Sequence, residues 1–413
     1  MPMADSPGVP GKYRLPASGI PAGNRCITPC PIVSQILLSS RYARCVEASN
    51  QQTGRTFQSN LEALRGIAAL LVVLHHLALN PGSILASMPL LGQGWLFVDL
   101  FFVLSGYVIA SVHLESRPTI FAALSFLARR FFRLYPLHLA TLAFALALDM
   151  KSGTAFLPGY WIMVSMNIAL VHAWGFVPGS VLNGPSWSIS TEWGTYLVFT
   201  AICLLAPSQK GRLQLLGGLG FLCFLSLVAW RNASLNGDLL LRLPRCLMSF
   251  AIGAGVWAWC QGRPALQPLV AVCFQVLLAT SMIALLAFSA SDAHLTLLMP
   301  IISAALIATM ARDPGSRVCQ LLDKPVPQWL GRCSYSLYLV HMPLFRCLLI
   351  VTPGGWPREP LLVNLWMAVT LCFLLLTAGL THALIEKPFR TMGRRISNSL
   401  QHARGRAPLA RFA

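Results

Sequence analysis

The residues best placed to do chemistry begin in one apolar segment, residues 61–79, which carries Arg65 near its start and His75 and His76 near its end. An ionisable side chain deep in such a segment is typical of a functional site rather than of a purely structural membrane span. On a helix, Arg65 and His76 return to within about 20° of the same face, about 16 Å apart along the axis. The segment therefore predicts a cation and a titratable imidazole at two depths of one helix face.

Two carboxylates in other apolar segments, Asp99 and Glu192, could act with His76. When the apolar segments are laid out as spans, all three groups fall within about 6–12 Å of the outer face. A carboxylate that orients an imidazole to take a proton from a hydroxyl is a familiar general-base arrangement. We therefore predict a site at that depth, and the choice of carboxylate stays open. The structural alternatives are a neutral, hydrogen-bonding Asp99 and a Glu192 that favours the positive end of a helix dipole.

A cluster of arginines at positions 129, 130 and 133 lies at the opposite, cytoplasmic end. It could anchor the chain to anionic lipid, and Arg65 could in the same way be an ordinary flanking cation. Arg130 and Arg133 share a helix face, however, and could clamp phosphate oxygens. The sequence has no P-loop, GxGxxG or HExxH pattern, and its 12 cysteines form no CxxC pair, so we expect no metal site.

These side chains need a membrane-embedded framework. Of the 413 residues, 55% are hydrophobic and only 11% are charged, whereas charged residues make up about 25% of soluble domains. The formal net charge of +18 resides mostly in alternate loops and at the termini. That distribution fits the positive-inside rule, and we expect no nucleic-acid partner.

The apolar runs predict an all-α, polytopic membrane protein with about ten transmembrane helices and both termini in the cytoplasm. Residues 158–175 are short and aromatic-rich, so we place them at the outer surface or as a re-entrant segment; a crossing there would put the basic C-terminal tail outside. Arg242 and Arg245 fit this map poorly, which indicates either a topology error or contact with an anionic or sugar acceptor. The predicted domains are a basic tail (1–57), the membrane domain (58–390) and a basic C-terminal tail (391–413). The predicted spans lie near 61–79, 90–112, 134–148, 187–206, 213–230, 241–260, 266–288, 295–311, 334–351 and 361–384.

Five motifs in this order resemble one known family. They are the R-x10-H pattern of Arg65 and His76, FFVLSGYVI (101–109), RRFFRLYP (129–136), PSWSISTEW (185–193) and SYSLYLVHMP (334–343). Together they resemble the acyltransferase-3 family of integral-membrane O-acyltransferases, which acetylate lipopolysaccharide, exopolysaccharide and related acceptors. The resemblance covers about residues 58–390. Each motif alone is weak, whereas all five in sequence are specific.

The resemblance implies that Arg65 and His76 are an essential pair, that Arg130 and Arg133 form an R-x-x-R motif, and that Glu192 is a functional glutamate. Family members often carry two consecutive acids at this last position, where this chain has Glu192 followed by Trp193. His341, in the last motif, could pack against Tyr338 or line the path of the donor.

We therefore expect an inner-membrane enzyme that takes an acyl group, most simply acetyl, from cytoplasmic acyl-CoA. Arg65, Arg130 and Arg133 would hold the anionic end of the donor. His76, oriented by Glu192 or Asp99, would act as general base on a hydroxyl of a cell-envelope or secreted glycan. A competing hypothesis is a proton-coupled transporter that uses the same His, Asp and Glu groups as a relay. The sequence shows no inverted pair of Gly/Pro-interrupted helices that would favour it.

Overall fold

The computed structural model describes residues 59–79, 82–116, 119–176, 182–229, 239–289, 293–352, 357 and 359–406. Within these residues the chain is helical and contains no strand. The predicted tail 1–57 lies outside the described residues. The long helices are α1 (Ser59–Ala78), α2 (Phe97–His113), α3 (Ile120–Ser152), α4 (Ser186–Leu205), α5 (Gln209–Ala229), α6 (Leu239–Cys260), α7 (Pro268–Phe288), α8 (Leu298–Arg312), α9 (Pro325–Val351), α10 (Pro360–Thr381) and α11 (Lys387–Arg406).

The prediction of about ten transmembrane helices is confirmed, since ten helices are long and apolar enough to cross a bilayer. The last of them combines α10 with most of α11 through a π-helical turn, His382–Glu386, so a helix runs across the predicted domain boundary at residue 390. The cytoplasmic placement of the termini stays a prediction. Short helical turns connect the spans, at Ile84–Ser87, Pro89–Gly92, Gly94–Leu96, Thr154–Phe156, Tyr160–Ile168, Ala293–Leu297 and Arg317–Leu322.

The third span is much longer than predicted. It begins after Thr119, whose side-chain hydroxyl accepts a hydrogen bond from the Ala122 amide at 3.2 Å, and it ends at Gly153, in the left-handed conformation at φ 81°. The expected start at residue 134 was wrong because the three arginines lower the local hydropathy without interrupting the helix. Those arginines therefore project from the interior of α3 rather than from a loop before it.

Helix α2 lies at the centre of the bundle. In its span, 72% of the most apolar stretch is buried inside the protein, against 28% in the spans of α5 and α7. Helix α2 crosses α6 with glycine backbone against backbone. A Cβ on Gly106 would lie 2.0 Å from the Phe250 carbonyl oxygen, and a Cβ on Gly253 would lie 2.0 Å from that of Val103. Because only glycine allows this approach, the two helices are held backbone to backbone.

A second backbone contact joins α1 to α9. A Cβ on Gly66 would lie 2.3 Å from the backbone nitrogen of Gly331, and a Cβ on Gly331 would lie 2.4 Å from the Glu62 carbonyl oxygen. The crossing fixes the register of the two helices that carry Arg65, His76 and His341. It is therefore the element of the fold that positions the candidate site.

The segment predicted to be non-spanning, 158–175, is not among the ten span candidates. After the helix Tyr160–Ile168 the chain turns back through Leu170, a buried non-glycine residue with a positive φ of 56°. Strain of this kind persists only where surrounding contacts impose it. Here the Ser190 hydroxyl donates to the Leu170 carbonyl at 2.8 Å and accepts from the Ala173 amide at 3.2 Å. The segment thus folds against the first turns of α4.

Candidate active site

His76 is held in one tautomer by its own helix. Its Nδ1 lies 2.9 Å from the carbonyl oxygen of Val72, one turn earlier. A carbonyl can only accept, so Nδ1 carries the proton, and in a neutral ring Nε2 is left with a lone pair. The neighbouring His75 is buried and directs its Nδ1 to the Leu91 carbonyl at 2.5 Å. Of the two histidines, His76 is the less buried and has a nitrogen suited to general-base catalysis.

A second imidazole, on another helix, contacts His76. The rings of His76 and His341 are 4.9 Å apart between centroids. His341 is fully buried on α9, with Tyr338 at 6.0 Å and Phe345 at 5.8 Å between ring centroids. Sequence analysis left His341 between packing and the donor path and did not include it with the site residues. The structure brings it into direct contact with His76.

A cavity of about 60 Å³, with Arg65 in its wall, reaches Tyr338 on α9. Tyr338 lines it and also contacts His341, so the cavity and the imidazoles share a wall. The Tyr338 hydroxyl is 2.9 Å from the Ser188 hydroxyl, which itself donates to the Pro185 carbonyl at 3.0 Å. The cavity is lined by Arg65, Phe101, Phe102, Arg133, Leu134, Ser188, Ile189, Glu192, Ser334, Tyr335 and Tyr338.

Two guanidinium groups face this cavity, those of Arg65 and Arg133. In the part of the chain that the structure describes, neither forms an ion pair with a carboxylate. Glu192 also lines the cavity and lies close enough to both arginines to interact with them electrostatically. Cations that stay unpaired in a partly enclosed space are suited to bind an anionic ligand.

In the part of the chain that the structure describes, no hydrogen bond or ion pair joins Glu192 to His76. One of its carboxylate oxygens accepts hydrogen bonds from the Ser105 hydroxyl at 2.8 Å and from the Tyr196 hydroxyl. The pairing of Glu192 with His76, one of the two alternatives left open, is therefore not seen among the described residues. Glu192 instead belongs to the group of charges formed with Arg65 and Arg133.

Arg130, the other half of the predicted R-x-x-R motif, does not line the cavity and packs against aromatic rings instead. Its guanidinium carbon lies 5.5 Å from the ring centroids of both Phe126 and Tyr196. Because Tyr196 bonds to Glu192, Arg130 is connected to the cavity through that tyrosine. Arg129 instead bonds to Ser397 of α11 and lies 3.5 Å from the Nε2 of His113. Of this cluster, the structure places only Arg133 in the cavity wall.

Asp99 has a different partner from the one expected. Arg245 binds it at two points, with Nε 2.7 Å from Oδ1 and Nη2 2.7 Å from Oδ2. Both side chains are at most 3% exposed. Asp99, one of the two carboxylates left open as a partner of His76, therefore binds Arg245 instead. The ion pair also gives a partner to Arg245, one of the two arginines that fitted the positive-inside count poorly.

Tryptophan rings lie against Arg242 and Arg245, the two arginines that fitted the predicted topology poorly. The Arg245 guanidinium lies 4.6 Å from the ring centroid of Trp95 and 5.8 Å from that of Trp187. The Arg242 guanidinium lies 5.3 Å from the Trp187 centroid. Cations over indole faces retain part of the stabilisation that they lose on leaving water, so these contacts stabilise both arginines in the interior, while the orientation of the predicted map stays a prediction.

The structure thus brings Arg65, Arg133 and Glu192 together around one cavity and leaves Asp99 in a separate ion pair. The residues that sequence reasoning missed are the lining groups of α9 and α4, above all Tyr335, Tyr338 and Ser188. Their signal was present in two of the quoted motifs, but hydroxyls and rings in apolar spans are common and carry no spacing rule. Among the described residues, no three His, Cys, Asp or Glu side chains are grouped so as to bind a metal ion.

Comparisons with known proteins agree with this architecture. A family model described as an acyltransferase domain, Acyl_transf_3, matches residues 58–384. The chain is similar to the peptidoglycan O-acetyltransferase OatA of Listeria monocytogenes, with 24% identity over 379 residues, which are 82% of this chain and 57% of OatA. It is also similar to the acyltransferase MdmB of Streptomyces mycarofaciens, with 34% identity over 152 residues, or 34% of this chain and 38% of MdmB. The chain therefore spans little more than half the length of OatA.

No solved structure matches the chain. The family match nevertheless covers nearly all of the described helices, including every residue of the cavity wall and both histidines. The protein therefore belongs to the acyltransferase-3 family of membrane proteins.

Proposed function

We propose that this protein moves an acyl group, most simply acetyl, from coenzyme A in the cytoplasm to a hydroxyl of a cell-envelope or secreted glycan. The observation that carries the proposal is the cavity lined by Arg65 and Arg133, which form no ion pair with any described carboxylate. This cavity shares Tyr338 with the histidine pair. The relatives named O-acetyltransferase and acyltransferase support the reaction class. The name of OatA supports a glycan acceptor.

The donor would enter with its phosphates near Arg65 and Arg133, because guanidinium groups bind phosphate oxygens at two points. Arg130 would add positive potential from behind Tyr196. The pantetheine arm would then run through the cavity towards Tyr338. The separation of about 16 Å between Arg65 and His76 along α1 suits such an extended donor.

At the other end, Nε2 of His76 would accept the proton of the acceptor hydroxyl as its oxygen attacks the thioester carbonyl. The tetrahedral intermediate would collapse by breaking the carbon–sulfur bond. The thiolate of coenzyme A would then take the proton back from the imidazolium. The products are the acylated acceptor and free coenzyme A, and the enzyme returns to its starting state. A covalent acyl-His76 intermediate is a variant of the same chemistry.

The test is the acetyl content of envelope and secreted glycans, measured by mass spectrometry. Cells would carry the intact protein, His76→Ala, His75→Asn or no protein. We expect a defined acetyl mass to disappear without the protein and with His76→Ala. His75→Asn is the matched control, because it changes the adjacent imidazole, whose contact is with Leu91, and should keep acetylation.

Normal membrane levels of each variant must be checked by immunoblot. Full acetylation with His76→Ala would disprove the assignment of the base. If no acetylated glycan changed in any strain and membranes transferred no acetyl group, the enzyme proposal would fall. Proton-coupled flux that was lost with His76→Ala would then favour the transporter.

A further inference from the structure

His341 is a buried imidazole for which the proposed mechanism so far has no use. In the described part of the chain, neither ring nitrogen makes a well-formed hydrogen bond, although the backbone of Leu337 and Tyr338 lies near the ring. The side chain is 0% exposed. Burying polar atoms without partners is unfavourable, so a purely structural residue at this place would be better apolar.

The other donors around His76 are already engaged. The Nδ1 protons of His75 and His76 go to the carbonyls of Leu91 and Val72. The Ser188 hydroxyl donates to Pro185, so the Tyr338 hydroxyl is the donor in its contact with Ser188. In either protonation state His341 carries at least one N–H. Of these described side chains, His341 alone has an N–H that makes no well-formed hydrogen bond to the protein.

The position of that N–H matches a need of the reaction. With the two rings 4.9 Å apart, a group that is hydrogen-bonded to Nε2 of His76 lies within reach of the neighbouring imidazole. Attack on a thioester puts negative charge on the carbonyl oxygen, and a fixed donor in a dry environment stabilises that charge strongly. His341 also contacts Tyr338, at the wall of the cavity through which the thioester would arrive.

We propose that His341 is a catalytic residue, which donates an N–H to the oxyanion of the tetrahedral intermediate while His76 holds the proton of the acceptor. The oxyanion forms when the acceptor oxygen attacks. It disappears when the carbon–sulfur bond breaks, and His341 gains and loses no proton. This assignment rests on the proposed acyltransferase function.

The test uses membrane vesicles that contain the full-length protein and are given radiolabelled acetyl-CoA. Label in the endogenous acceptor and released coenzyme A thiol are measured together, as maximal rate and as KM for acetyl-CoA. For His341→Leu, we expect the maximal rate to fall by about 100-fold or more, the size of effect seen when an oxyanion donor is removed. The KM for acetyl-CoA should change by less than about 3-fold, because this donor acts on the transition state.

His341→Leu also separates catalysis from folding. Since it removes buried nitrogens without partners, its thermal unfolding temperature in detergent should equal or exceed that of the parent. His341→Asn keeps an N–H donor and should retain a rate at least about 10-fold above the leucine variant, a difference typical of one aligned hydrogen bond. Phe345→Leu is the packing control, because it changes the other aromatic neighbour of His341 and should leave the rate near that of the parent.

A His341→Leu variant that is stable and within about 3-fold of the parent rate would overturn the proposal. So would leucine and asparagine variants that are equally unstable and equally slow, because that result describes a structural residue. If parent vesicles transfer no label to any acceptor, the acyltransferase function itself fails. That outcome is distinguishable because it appears before any variant is compared.

Discussion

Arg245 binds Asp99 through two parallel 2.7 Å hydrogen bonds at the crossing of α2 and α6, where both side chains are buried. A carboxylate held in this way has both oxygens committed to a guanidinium. The arrangement indicates that Asp99 neutralises Arg245 and fixes the crossing rather than orienting His76.

The first prediction concerns the stability of this pair. Asp99→Asn leaves a buried guanidinium without its counter-charge and should lower the free energy of unfolding by about 3–5 kcal/mol. The double variant Asp99→Leu with Arg245→Met removes both charges and should recover most of that loss, because an apolar pair of similar size avoids burying ions. Thermal unfolding in detergent measures both effects.

Acyl transfer by the same double variant decides between the two roles of Asp99. If Asp99 is structural, the activity per folded molecule should stay within about 10-fold of the parent, the range expected of a modest repacking effect on geometry. A double variant that is well folded yet inactive would show that the ion pair is needed for the reaction and not only for folding.

The second prediction concerns the contact between Gly66 and Gly331. Gly66→Ala would place a methyl group 2.3 Å from the backbone of α9, so the helices must separate, and with them His76 and His341. We expect lower thermal stability and loss of acyl transfer together, since backbone atoms cannot rotate away as a flexible side chain can. Gly255→Ala is the matched control on α6, because a Cβ there meets nothing within 4 Å. It should leave stability unchanged or raise it by up to about 1 kcal/mol through helix propensity. Normal activity of Gly66→Ala would contradict the role given to this crossing.

Much of this architecture could be predicted from hydropathy and helical periodicity. The prediction that Arg65 and His76 share one helix face agrees with the structure, because both side chains lie towards α9. Arg65 lines a cavity with Tyr338 of α9, and His76 contacts His341 of the same helix. Both signals are local in sequence. The span count needed only the length and apolarity of each run.

The partners of the charged groups could not be predicted, because they depend on helix packing between distant segments. Asp99 and Arg245 are 146 positions apart, and depth alone offered Asp99, Glu192 and His76 as equal candidates for one site. The prediction of the length of α3 was wrong for a related reason. A hydropathy window treats Arg133 as exposed, whereas the folded bundle places it in an internal cavity wall.

The third prediction concerns donor binding by the cavity arginines. Arg65→Gln and Arg133→Gln should each raise the KM for acetyl-CoA by about 10- to 100-fold, the range of one charge-assisted hydrogen bond. Arg263→Gln is the control: Arg263 is exposed, packs 4.2 Å from the ring centroid of Trp259, and should leave the KM unchanged. Steady-state kinetics in membrane vesicles provide the measurement. If all three variants behaved alike, the cavity would lose its role as the donor site.

The fourth prediction uses the pKa of His172, in the segment that folds against α4. Burial is the main cause that lowers this pKa to about 3, and the electrostatic effects of the neighbouring His138 and Arg242 act in the same direction. Between pH about 6.5 and about 3 the unfolded chain therefore binds a proton at His172 that the folded chain excludes. Stability attributable to this group is full above pH 6.5 and falls as the pH falls, by about 1.4 kcal/mol per pH unit.

His172→Gln removes the titrating group and should flatten the dependence of thermal stability on pH between 6.5 and 5, even if it lowers stability at pH 7.5. Ser186→Ala is the matched control. It removes the hydroxyl 3.1 Å from Nε2 of His172 but leaves the imidazole buried, so its curve should run parallel to that of the parent. Unfolding followed in detergent at pH 7.5, 6.5, 5.75 and 5 would separate the three curves. If the dependence of thermal stability on pH were the same for His172→Gln as for the parent, the imidazole of His172 would be hydrated enough to titrate normally. The segment 158–175 would then not exclude water from its contact with α4.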